Sequence, residues 1–178
     1  MLIGLVVSAC TASKEDTGDK VTETGVSDEP LECQIIFYDE EEYDAEKWDC
    51  ALDTLCEYVR YDAGERAFRS REAAECLLQA FAERRIGKLT LGHQGSDITS
   101  FGSETLYILD TLGHVAVNKI NYQDTVTDYY VRRPYPLKAA SYFEECLAAD
   151  SDEAMAECLF AWRDGDCVEL ETTCDGGF

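Results

Sequence analysis

Apolar and polar positions along this chain fall into stretches of different pattern, and the order of those stretches sets the first expectation of its architecture. An uncharged apolar run, Leu2 to Val7, is followed by a stretch over residues 11–32 in which Thr, Ser, Gly, Asp and Glu dominate and no periodicity appears. Such a stretch cannot bury enough surface to offset the entropy of ordering, so it reads as a disordered acidic linker. CQIIF, from Cys33, is a short β-prone run, and the acidic cluster Asp39, Glu40, Glu41, Glu42 and Asp44 reads as an exposed loop after it. From Ala45, Trp48, Leu52, Leu55 and Val59 recur at spacings of four, three and four, which predicts a helix closed by Gly64. A second helix is predicted from about Arg71 to Arg85, with Ser70 as N-cap, Ala74, Leu77, Leu78 and Phe81 on its buried side, and Gly87 ending it.

The chemistry then changes to that of strands. IGKLTL, ETLYIL, HVAVNKINY and TVTDYYV are rich in β-branched and aromatic residues and are separated by turn-forming clusters, which predicts three or four antiparallel strands in a meander. Ser141 with Glu144 reads as a capping box opening a helix through Leu147, and Asp150 with Glu153 as another opening a helix through Trp162. The expected fold is therefore α+β: an antiparallel sheet of three or four strands flanked in sequence by two helices on each side.

Composition narrows what such a domain can do. Asp plus Glu outnumber Lys plus Arg by 37 to 15, a formal net charge of −22, so the field around the chain repels phosphate backbones and anionic membrane surfaces. Nucleic acid is excluded as a natural partner; basic proteins and divalent cations are favoured. Ten Tyr and seven Phe within 178 residues supply enough bulky apolar surface for one folded domain, expected over residues 33–178.

Nine cysteines demand an explanation. None of the closely spaced pairs has the C-x2-C spacing of a structural zinc site, so disulfides in an oxidising compartment are the reading, and an odd count leaves one cysteine with another task. Cysteines on helices joined by a turn can face one another, which pairs Cys146 with Cys158 and Cys56 with Cys76. Cys33 with Cys50, and Cys167 with Cys174, remain by elimination among the 105 connectivities open to eight cysteines.

Val7-Ser8-Ala9-Cys10 resembles the lipobox of bacterial lipoproteins, in which an aliphatic residue, two small residues and a cysteine mark where the thiol is lipidated and the chain is cut. The resemblance covers about ten residues. It implies that residues 1–9 are the end of a signal peptide, that Cys10 carries acyl chains, and that residues 10–32 tether the domain to a membrane. No Lys or Arg precedes the apolar run, and the run is short for a secretory core; a start codon further upstream would explain both. In proteins that resemble this one, Asp after the cysteine retains the lipoprotein at the inner membrane. Here Thr11 follows, so the outer membrane of a Gram-negative bacterium is the expected location.

Candidate chemistry is sparse. His93, Ser96 and Asp97 crowd into GHQGSD, but three residues of one short loop seldom have the freedom to form a nucleophile, base and orienting group, and a turn explains the stretch. Thr90-Leu91-Gly92-His93 recurs as Thr111-Leu112-Gly113-His114, which would let two imidazoles share a transition metal with Asp97 or Asp110; both are also ordinary turns. The acidic stretches Asp39 to Glu46, Asp150 to Glu153 and Arg163 to Glu169 lack the alternation of a calcium loop. No catalytic residue, metal ligand or cofactor is assigned. The expected function is that of a membrane-anchored envelope lipoprotein with a binding or structural role, the alternative being a secreted hydrolase with a site near His93 or His114. An exposed aromatic patch from Tyr107, Tyr122, Tyr129 and Tyr130 would favour binding.

Overall fold

The four strands legible in the sequence form the middle of a wider sheet. The computed structural model describes residues 33–95, 100–170 and 174, and every element lies in one compact unit over residues 31–178. In chain order these are β1 (Gln34–Phe37), α1 (Glu40–Glu46), β2 (Val59–Asp62), β3 (Ala67–Phe68), α2 (Arg71–Ala82), β4 (Gly87–Gln94), β5 (Ser100–Ile108), β6 (His114–Gln123), β7 (Val126–Pro136), α3 (Ala140–Leu147) and α4 (Asp152–Phe160). The strand order is β1-β7-β6-β5-β4-β2-β3. β4 to β7 are the expected antiparallel meander, with Leu89 opposite Leu106 and Leu106 opposite Val117. β1 extends it antiparallel to β7, whereas β2 runs parallel to β4 and carries β3 at the far edge. The expectation of a three- or four-stranded antiparallel sheet is thus overturned by a single seven-stranded mixed sheet with four helices.

The error has a local origin. The four-three-four spacing of Trp48, Leu52, Leu55 and Val59 is not a helix: residues 47–58 are irregular and Val59 opens β2. Trp48 and Val59 are buried nonetheless, one on each side of the sheet, so their periodicity reports burial without a common helical face. The acidic cluster, read as a loop, is α1 itself. Asp39 caps it by accepting from the Glu41 and Glu42 amides, and Glu40, Glu41 and Glu42 occupy the first turn, where the helix dipole favours negative charge.

The other helices lie close to their expected bounds. Ser70 Oγ accepts from the Ala73 amide at the start of α2. α4 is capped by Ser151, which accepts from Ala154, rather than by Asp150. α3 follows Ala139 with no side-chain cap, so Ser141 lies inside the helix. Arg84, just beyond α2 in a left-handed conformation (φ 53°), sends its guanidinium to the carbonyls of Leu137 and Lys138, joining the end of α2 to the start of α3.

Period-two alternation in the central strands builds a core on each face. Leu89, Leu91, Leu106, Ile108, Val115 and Val117 point to one side, under Leu77, Leu78 and Phe81 of α2, Phe143 of α3 and Met155 and Leu159 of α4. Phe81 lies 5.2 Å from Phe143 and 6.1 Å from Trp162, ring centre to ring centre. On the opposite side Tyr107, Ala116 and Val131 pack under Tyr43 of α1 and the following Trp48 and Cys50.

Eight cysteines sit in four bonded pairs. Cys56–Cys76 ties the irregular stretch before β2 to α2, and Cys146–Cys158 ties α3 to α4, with Cα separations of 6.0 and 5.8 Å. The remaining pairs differ from the sequence expectation of Cys33 with Cys50 and Cys167 with Cys174: Cys33 is bonded to Cys167 and Cys50 to Cys174. The reason is the path of the chain after α4. The Asp164 and Val168 amides donate to the carbonyls of Pro136 and Pro134, which lays this segment beside β7, and the Arg133 amide donates to Cys33. Cys167 therefore arrives next to the residue preceding β1.

In the chain-entropy account a cross-link stabilises in proportion to the logarithm of the loop it closes. Cys33–Cys167 spans 134 residues and Cys146–Cys158 spans 12. The double variant Cys33→Ser/Cys167→Ser is expected to lose up to about 2 kcal/mol more than Cys146→Ser/Cys158→Ser, as measured by urea denaturation. Equal losses would show that native-state packing dominates both bonds.

Candidate functional site

A recess lies between α1 and the sheet. Alternation on three strands lays its floor: Thr105 and Tyr107 from β5, Asn118 and Ile120 from β6, Tyr129 from β7, all on the face turned towards α1. Its wall is α1 with the three residues after it, contributing Glu40, Tyr43, Asp44, Lys47 and Asp49. The wall is fixed by one buried amide. Asn118 accepts from the Trp48 backbone N–H at 3.0 Å through Oδ1 and donates to the Trp48 carbonyl at 2.7 Å through Nδ2. The Trp48 indole N–H donates to the Arg132 carbonyl at 2.9 Å. The recess is open to solvent and offers about 430 Å³, a volume within the range of small-molecule sites.

Three carboxylates and one ammonium line this cleft. Lys47 Nζ lies 2.6 Å from Asp44 Oδ1 and 5.8 Å from the centre of the Tyr43 ring. Tyr43 is 5% exposed, its ring centre is 4.9 Å from that of Tyr129, and its hydroxyl makes no hydrogen bond to any described residue. Burial pushes its pKa up to about 12, reinforced by Tyr107 and the Asp44 charge. Burial also raises Tyr107, helped by Asp49 and opposed by a hydrogen bond with Asn118. Both phenols stay neutral at physiological pH, so the cleft presents uncharged rings beside fixed negative charge.

Of the four tyrosines expected to form an aromatic patch, Tyr107, Tyr122 and Tyr129 share this face, while Tyr130 lies on the other, opposite Lys119 in the register. A second groove, of about 200 Å³, opens beside Ile35, Val131 and Pro134. Its outer wall is Val168 to Leu170.

The histidines lie elsewhere and apart. His93 packs edge-on against Phe160 of α4, 5.7 Å between ring centres, on the helix-covered face. In register it faces Gly102, which faces Asn121, seven residues beyond His114 on β6. At ~3.3 Å per residue that places the two rings roughly 23 Å apart along the sheet, so they share no ion. His114 Nδ1 is 2.7 Å from Asp110 Oδ2, and Asp110 Oδ1 accepts from the Leu112 and His114 amides, which makes the pair part of the β5–β6 turn. Burial raises the Asp110 pKa, but the bonds from His114 outweigh it and hold the carboxyl below its usual value. Ser96 and Asp97 lie outside the described residues. Among those described, neither imidazole is hydrogen-bonded to a hydroxyl or thiol, and no group of three or more His, Cys, Asp or Glu is placed to hold a metal ion.

Of the acidic stretches weighed as calcium ligands, the one from Asp150 to Glu153 has a structural role through Asp152. Asp152 accepts from the Phe68 amide and pairs with Arg71 at 2.8 Å, fastening α4 to β3 and α2. Beside His93 on its own face runs a buried charged row: Lys119 Nζ is 3.1 Å and Arg132 Nη1 3.6 Å from Glu104 Oε1, and Arg132 Nε donates to Gln34. Sequence reasoning missed both this row and the α1 cleft. The signal for the cleft was present in the alternating Thr105/Tyr107 and Asn118/Ile120, once Asp39 is read as a helix cap.

No protein-family model, curated protein or solved structure matches this chain, so the case for the cleft rests on its geometry.

His93 gives this region a pH signature. Burial lowers its pKa from the model-peptide 6.5, the Lys119 charge lowers it further, and Glu104 opposes both in part. With the folded pKa below the unfolded one, the unfolded chain binds more protons as pH drops, so stability is full above about 6.5 and is lost on acidification through the folded value. His93→Gln is expected to lessen the acid dependence of the urea midpoint below about pH 6.5. An unchanged slope would show that His93 remains solvated.

Proposed function

We propose that this chain is a lipid-anchored envelope protein, acylated at Cys10, whose disulfide-braced domain binds a small ligand in the cleft between α1 and the sheet. The observation that carries the binding role is the cleft itself: a recess of about 430 Å³ lined by Tyr43, whose hydroxyl has no hydrogen-bond partner among the described residues, and with a wall pinned by Asn118. The anchor is supported by cysteine parity, since eight of the nine are paired within the domain and the ninth stands in a lipobox-like sequence. The outer membrane is the proposed location because Thr11, not Asp, follows Cys10.

Anchoring and binding are tested separately. Two acyl chains suffice for stable membrane attachment at ~0.8 kcal/mol per buried CH2. Cys10→Ser should therefore release the protein from the membrane fraction or leave it unprocessed, and protein from the native envelope should be alkylated only after reduction, at the eight cysteines from Cys33 to Cys174. A free thiol at Cys10 would overturn the anchor.

Binding is tested by thermal shift against a panel of amines, amino acids and oligosaccharides. A ligand at about 100 times its Kd stabilises by ~2.7 kcal/mol. Shifts seen with the wild-type chain should vanish in Ile120→Trp and in Thr105→Phe, which fill the floor of the cleft. Shifts that survive both would place binding elsewhere.

A further inference from the structure

We propose that the cleft recognises an organic cation, an aliphatic or quaternary ammonium group, and that Lys47 is its internal stand-in. The inference rests on the cleft being the binding place and adds the chemical class of the ligand. The ring of Tyr43 and the carboxylate of Asp44 already hold an ammonium between them: Lys47 Nζ is 2.6 Å from Asp44 Oδ1 and 5.8 Å from the Tyr43 ring centre. Ring faces attract cations through their quadrupole, more strongly where water is excluded. Glu40 and Asp49 line the same recess and have no hydrogen-bonded or ion-pair partner among the described residues, so two further negative charges await compensation.

The alternatives fit less well. A phosphate or carboxylate ligand would enter against three carboxylates in a chain of net charge −22. A bare divalent cation needs several oxygens converging at about 2.3–2.6 Å, and no such group of acidic side chains exists among the described residues. An ammonium with an alkyl body tolerates dispersed carboxylates and uses what a metal cannot: the Tyr43 and Tyr129 rings, the Ile120 side chain and the free Tyr43 hydroxyl as acceptor. Lys47, with its side chain 37% exposed, is free to turn towards solvent when a ligand ammonium replaces it.

Titration calorimetry on the oxidised full chain, with n-butylammonium and tetramethylammonium as probes, tests this. Saturable binding is expected, with Lys47→Ala tightening it several-fold by removing the internal competitor. Glu40→Gln/Asp49→Asn, which leaves the Lys47–Asp44 pair in place, should weaken it roughly tenfold. Cellobiose and butyrate are titrated in parallel. Binding of either of these, abolished by Ile120→Trp or Thr105→Phe, with no ammonium binding, would overturn the cation assignment and leave the cleft as the binding place. Ammonium binding that is indifferent to both cleft-filling variants would overturn both readings. So would the absence of binding by any probe, to the wild type and Lys47→Ala alike, up to about 100 mM.

Discussion

A single side chain amide decides the shape of one whole face of this protein. Asn118 stands in the middle of a central strand, almost wholly buried, where Val or Ile would be the ordinary choice. Its carboxamide takes up the N–H and C=O of Trp48, two backbone groups that have no helix or strand to satisfy them. Leaving them unpaired would cost about 1–3 kcal/mol each. The seven residues of α1 are too few to be stable alone, so the helix exists because its C-terminal continuation is docked in this way and because Asp39 caps its start. The cleft is the space left between a helix held at both ends and a sheet whose facing side chains are tyrosines rather than valines.

The opposite face shows what happens where helices run out. Beneath α2, α3 and α4 the sheet is aliphatic, yet along the same face, towards β1, it carries Glu104, Lys119 and Arg132. Burying such a triad costs several kcal/mol in desolvation, recovered only in part by the ion pairs, and Arg132 Nη1 makes no hydrogen bond to the described residues. Arg132 nevertheless connects the two halves of the molecule. Its side chain bonds Gln34 of the edge strand, while its backbone carbonyl receives the Trp48 indole on the other face. The buried charge is thus tied to the placement of β1 and of the cleft wall more directly than to stability.

Which parts of this were legible in the sequence follows from which interactions are local. α2 was legible because Ser70, its apolar stripe and its length all point the same way, and β4 to β7 because each is a strand of eight or more residues whose β-branched and aromatic run is bounded by turn-forming clusters. β1, β2 and β3 are four, four and two residues long, and their pairing is set by partners distant in sequence: Ile35 with Val131, Val59 with Leu91. The stretch from Trp48 to Val59 misled because burial on two different faces happened to fall at helical spacing. The acidic run misled in the opposite sense, since abundant charge hid a helix whose single buried residue, Tyr43, lies directly over the cleft. Disulfides within helical pairs could be read from adjacency. Cys33–Cys167 and Cys50–Cys174 could not, because they depend on the chain after α4 running back beside β7.

Those two long-range bonds enclose the cleft wall. Cys33 precedes β1 and Cys50 follows Asp49, so the whole segment from β1 through α1 to Asp49 is stapled at each end to the C-terminal part of the chain. Such a segment has little regular structure to hold it: one edge strand, seven helical residues and three more of which Trp48 is pinned by Asn118. Without covalent ends it would be the part of the domain most prone to open locally, because few of its backbone groups are secured by long ladders. With them, a wall built from charged and aromatic side chains keeps its geometry, and a ligand of the proposed cleft would meet a surface whose ordering cost is met during folding. The cysteines that local reasoning could not pair are therefore those whose bonds fix a short acidic helix as one side of the cleft.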